Sequence, residues 1–84
     1  MNGMDNTVNF SIRKEDAKTP KEIIAFVYNA MMEKGYNPVN QFVGYLISGD
    51  PTYITSHNNA RALMRRVERD ELLEEFVGAY LANM

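Results

Sequence analysis

The chain has no cysteine, no tryptophan, a single histidine (His57) and only three prolines. Without thiols there is no disulfide staple, no zinc site of the Cys/His type and no thiol nucleophile. Any histidine-based triad would have to use His57, and a lone histidine beside a helix start reads better as a cap or a solvated turn residue than as a general base. A glycine-rich phosphate loop is missing too, because Gly35, Gly44 and Gly49 are isolated and explained by turns or close packing. Glu74 and Glu75 are adjacent carboxylates, but they fall on the solvated side of a helical pattern and stay ionised. These absences leave no route to catalysis, so the expectation is a non-enzyme without cofactor or metal. No apolar run approaches the length of a membrane span, and the first residues lack the basic-then-apolar layout of a signal peptide, which points to a cytoplasmic chain. The net charge of −2 weighs against a non-specific nucleic-acid binder.

What is present is the composition of one small folded domain: 84 residues, 45% hydrophobic and 24% charged. A core this small without staples gains stability from self-association. Residues 1–18 are polar with balanced charge and read as a mobile tail. Within them Val8, Phe10 and Ile12 alternate with polar neighbours, so the competing reading is a short edge strand, paired with the same segment of a second subunit.

Residues 19–84 read as a single helical domain. Thr19-Pro20-Lys21-Glu22 is a capping box with proline at the first helical position, opening a helix over 20–34 whose apolar face holds Ile23, Val27, Ala30 and Met31. Gly35 ends it in the left-handed conformation. Asn37-Pro38 opens a second helix over 38–48, so rich in Val39, Phe42, Val43, Tyr45, Leu46 and Ile47 that it is expected to be the mostly buried centre of the fold, with its Gly44 side open to a neighbouring backbone. Gly49 and Asp50-Pro51 close it, Gly49 with a positive φ, and a single turn with Tyr53 and Ile54 tucked inward follows. His57, Asn58 and Asn59 offer a cap for a third helix over 58–69. Its stripe, Ala60, Leu63, Met64 and Val67, loses register near Asp70, which caps a fourth helix over 70–82. The apolar arc of that last helix (Leu72, Leu73, Phe76, Val77, Tyr80, Leu81) is wider than one small core needs, and the surplus is the candidate dimer surface. The fold class is therefore all-α: a small bundle of about four short helices with a mobile N-terminal tail, assembled as a homodimer.

Arg61, Arg65 and Arg69 stand four apart, with Arg66 beside them, on what would be the outward face of the third helix. One reading is a solvated face balanced by Asp70, Glu71, Glu74 and Glu75. A second is a helix-turn-helix-like contact with nucleic acid, although the connection from Ile47 to Asn58 is longer than the usual three- or four-residue turn. A third is a surface for a phosphate or a protein partner, since guanidinium forks suit phosphate oxygens.

KGYNPVNQFVGYLISGDPTYI followed by HNNARALMRRVERDELLEEFVGAYL resembles the IreB-type family of small regulatory phosphoproteins of Gram-positive bacteria, over about residues 7–81. The resemblance implies a cytoplasmic helical dimer. It implies phosphorylation on an N-terminal threonine by a membrane-anchored Ser/Thr kinase with extracellular cell-wall-sensing repeats, reversal by a partner phosphatase, and an output in cell-envelope stress and resistance to cell-wall antibiotics. The family's acceptor pattern maps onto Asp5-Asn6-Thr7-Val8-Asn9-Phe10, so Thr7 is the phosphorylation site it implies. Some relatives carry a second threonine three residues earlier, where this chain has Met4.

Overall fold

The computed structural model describes residues 13–84. Thr7 and the alternating Val8, Phe10 and Ile12 lie outside the described residues. Among those residues there are four α-helices, three short 3-10 turns and no strand. Residues 13–18, expected to belong to the tail, carry the first of these turns (Lys14–Asp16) and bury Ala17 against the core.

The first helix, α1 (Pro20–Glu33), begins where its signals place it. The Thr19 hydroxyl accepts from the Glu22 N–H at 3.2 Å, and the Glu22 carboxylate accepts from the N–H groups of Thr19 and Lys18 at 3.1 and 3.0 Å. Two of the donors a helix start leaves unpaired, those of Thr19 and Glu22, are thereby satisfied, together with the Lys18 N–H just before them. Ile23, Val27, Ala30 and Met31 are buried along one face. At the other end Gly35, with φ of +75°, lets the Tyr36 N–H reach back to the Met31 carbonyl and its own N–H to Met32. This is the Schellman arrangement that stops a helix cleanly.

The second helix, α2 (Pro38–Ser48), is capped by the Asn37 side chain, which accepts from the Asn40 N–H at 3.1 Å. Its expected role as the mostly buried centre is not what is observed. Only Phe42 and Tyr45 are buried, while Val39 is 67% and Ile47 79% exposed. An apolar arc covering more than half a helix cannot all meet neighbours in one small chain, and here only Phe42 and Tyr45, with the half-buried Leu46 beside them, pack on the core. The core is centred instead on α1 packed against the third helix, α3 (Ala60–Met64), with Ile54, Leu63, Met64 and Leu72 fully enclosed.

Between α2 and α3 the Asp50 carboxylate accepts from both the N–H and the hydroxyl of Thr52, at 3.0 and 2.8 Å, and starts the turn Pro51–Tyr53. Ile54 is tucked inward as expected, but Tyr53 remains 49% exposed, with its ring set against Gly44. The close neighbour of Gly44 is thus a side chain and not another backbone.

The expected third helix over 58–69 is much shorter, for two physical reasons. Asn58 and Asn59 both take positive φ (56° and 63°), so the helix cannot start before Ala60. At its end the Arg66 and Val67 N–H groups bond to the carbonyls three residues back, which tightens the chain out of the α-helix and turns Val67 into the core. The last helix, α4 (Arg69–Ala82), then starts with Glu68 as its cap residue, not Asp70. Glu71 accepts from the Glu68 N–H at 3.1 Å.

Candidate functional site

The arginines expected on one outward face do not share a helix. Arg61 lies in α3, Arg65 and Arg66 in the segment where that helix unwinds, and Arg69 at the first position of α4. Their side chains are used differently. The half-buried Arg61 donates through Nε to the Ile54 carbonyl at 2.9 Å and lies near enough to Asp50 to stabilise its carboxylate. Asp50 sits below the usual carboxylate range chiefly because of its hydrogen bonds from Thr52, with Arg61 adding a smaller effect. Arg69 donates through Nη1 to the Leu46 carbonyl at 3.1 Å, closing the C-terminus of α2 and covering Gly49. Both therefore fasten the fold. Arg65 and Arg66 are exposed and make no hydrogen bond or ion pair among the described residues.

Arg66 lines a cleft of about 260 Å³ together with Ala17, Lys18, Ile23, Val67 and Glu71. Lys18 and Arg66 lie 48 positions apart in the chain, and α1 packing on α3 and α4 brings them to one cleft. Reasoning from the sequence noticed Arg66 only as a neighbour of the other arginines and missed Lys18, because no local pattern links the two.

On another face α1, α2 and α4 leave an apolar groove of about 650 Å³. Its floor is Phe42 and Phe76, packed edge to face with ring centroids 5.1 Å apart, and its walls include Ile24, Tyr28, Val39 and Val43. Lys21 and Glu75 stand among its lining residues with opposite charge. The wide apolar arc expected on α4 is largely in the open: Leu72 is buried and Phe76 packs on the core, but Leu73, Val77 and Leu81 are about half exposed and Tyr80 is 72% exposed.

His57 does not cap α3, whose N-cap position is Asn59. Its Nε2 lies 2.8 Å from the Glu33 carboxylate, which also accepts from the Asn58 side chain at 3.3 Å. These contacts tie the end of α1 to the turn before α3, and they hold Glu33 below the usual carboxylate range, the His57 hydrogen bond being the larger cause.

Comparison with known proteins bears on what such a surface is for. The family model described as IreB regulatory phosphoprotein matches residues 5–82. The chain belongs to the IreB family. It is similar to a UPF0297 protein of Ruminiclostridium cellulolyticum, with 54% identity over 81 residues that cover 96% of this chain and 92% of that protein. The IreB description is that of a regulator and not of a catalyst. Among the described residues no helix is long and apolar enough to cross a membrane.

Proposed function

We propose that this IreB-family chain is a non-enzymatic regulatory phosphoprotein acting by protein contact in the cytoplasm. Thr7 is the residue phosphorylated by a membrane Ser/Thr kinase and restored by its cognate phosphatase, and the output lies in cell-envelope stress and resistance to cell-wall antibiotics. The observation that carries this reading is the family match over residues 5–82, which takes in the acceptor-like hexapeptide from Asp5 to Phe10. The kinase-side details rest on the family resemblance. The working unit is a homodimer joined through the apolar groove and the open face of α4. That reading is supported by the exposure of Val39 and Val43 in the groove and of Val77 and Tyr80 on α4, because extensive exposed apolar surface marks contact sites.

Incubation with the kinase domain and ATP tests the central claim. Phosphate incorporation mapped to Thr7 by mass spectrometry, and lost in Thr7→Ala, is the expected result; incorporation elsewhere, unaffected by that substitution, would overturn it. The nucleic-acid reading has no specific observation in its favour, since the arginines it needed are divided between two helices and the turn between them.

A further inference from the structure

Of the four arginines between positions 61 and 69, Arg61 and Arg69 are held by backbone carbonyls, and only Arg65 and Arg66 have guanidinium groups without a partner among the described residues. Arg66 alone of these two lines the cleft that also holds Lys18. We propose that this cleft is a phosphothreonine site, in which Arg66 and Lys18 bind a phosphate carried by Thr7 of the same subunit. The proposal rests on the reading of Thr7 as the phosphorylated residue.

Charge favours this occupant. The nearby carboxylates are already engaged: Asp16 pairs with Arg13 at 3.0 Å, Glu22 accepts from the Lys18 and Thr19 N–H groups, and Glu71 accepts from the Glu68 N–H. Among the described residues the Arg66 guanidinium makes no hydrogen bond or ion pair, and neither does the Lys18 ammonium, whose charge only helps to hold Glu22 below the usual carboxylate range. A phosphate brings nearly two negative charges and three acceptor oxygens, for which a guanidinium fork and an ammonium are complementary ligands. Glu71 is the one carboxylate lining the cleft, and its charge opposes binding without occupying the cations.

Reach is also sufficient. The described chain starts at Arg13, six residues after Thr7, and six extended residues span about 20 Å. Arg13 and Lys18 are five residues apart, so at full extension they would be separated by at most about 18 Å. The intervening Lys14–Asp16 turn brings them closer than that. A phosphate on Thr7 can therefore return to the cleft without displacing any part of the fold. The tether supplies a local concentration on the order of millimolar, which lets a weak exposed site be occupied.

The test uses the full chain with phosphothreonine installed at position 7 by joining a synthetic peptide to the remainder. Because no kinase is involved, failure here is distinct from failure of the phosphorylation assay above. The phosphorus resonance of the phosphate is titrated and compared with that of the free phosphopeptide of residues 1–12. We expect the second ionisation to fall by about 0.5 pH unit in the full chain, a shift suited to exposed pairs, and the amide signals of Lys18 and Arg66 to move with it. Arg66→Gln and Lys18→Gln should each reduce the shift. Glu71→Gln, which keeps the helix cap, should enlarge it. Arg65→Gln should leave it unchanged. Both cations are exposed, so these variants should melt like the parent and the comparison remains valid. A titration identical to the free peptide, or a shift that survives the combined Arg66→Gln and Lys18→Gln substitutions, would overturn the proposal.

Discussion

Gly49→Ala probes the junction where α2 ends and α4 begins. Gly49 has φ of +75°, and its N–H bonds to the Tyr45 carbonyl at 2.7 Å. Placing an L side chain in that conformation costs about 1 kcal/mol. A second cost comes from Arg69, whose Cζ would lie 2.9 Å from the new Cβ and whose Nη1 donates to the Leu46 carbonyl at 3.1 Å. Moving the guanidinium weakens that exposed bond, worth about 0.5–1 kcal/mol. The sum is about 1.5–2 kcal/mol, which in a domain of this size lowers Tm by about 10 °C. Melts should be run at one chain concentration, because self-association would make Tm depend on it. Asparagine tolerates positive φ but carries the same Cβ, so Gly49→Asn should lose about half as much. Arg69→Ala combined with Gly49→Ala should cost less than the two singles added together. An unchanged Tm for Gly49→Ala refutes the left-handed turn, and strict additivity refutes the contact with Arg69.

Gly44→Ala gains about 1 kcal/mol of helix propensity but forces the Tyr53 ring away, since the new Cβ would lie 2.9 Å from Tyr53 Cγ, for a net loss of about 1 kcal/mol. In a Tyr53→Ala background the same substitution should become stabilising, as read from urea midpoints. Glu33, depressed by its His57 hydrogen bond, contributes stability that is complete above its unfolded pKa of about 4.3 and is lost as pH falls through the lower folded value. Glu33→Gln should therefore flatten the acid limb of the denaturation midpoint against pH, and an identical acid limb would show the pair to be inert. Val43→Glu places a charge on the wall of the apolar groove. Light scattering at tens of micromolar should give twice the 9.6 kDa chain mass for the parent and a single mass for the variant; a single mass for both removes the proposed dimer.

The helix ends were legible wherever a signal acts over a few residues. Thr19 with Glu22, Gly35, Asn37 with Pro38, and Gly49 each exchange hydrogen bonds with backbone close by, so residue type and spacing nearly determine the geometry. What α2 faces was not legible. Val39, Val43 and Ile47 are as apolar as Phe42 and Tyr45, and the paths of α1, α4 and the Pro51–Tyr53 turn decide which of them are covered. Close approach at Gly44 could be expected, but the Tyr53 ring that makes it comes from a turn whose direction is set by Asp50 and Thr52.

The arginines show most clearly where such reasoning stops. Spacing of four places Arg61, Arg65 and Arg69 on one face only if the helix continues through all of them. Continuity fails because the Arg66 and Val67 N–H groups bond to the carbonyls three residues back, so the chain leaves the α-helix after Met64 while Val67 stays in the core. Once the chain has turned, Arg69 meets the end of α2 and Arg61 meets Ile54, so neither is available to a ligand without loosening the fold. Among the described residues Arg66 has no such duty, and the Lys18 ammonium has only a charge interaction with Glu22, the smallest of the causes that lower that carboxyl. A cation useful for signalling has to be one the structure can release at little cost, which favours the Arg66–Lys18 cleft over the evenly spaced Arg61, Arg65 and Arg69.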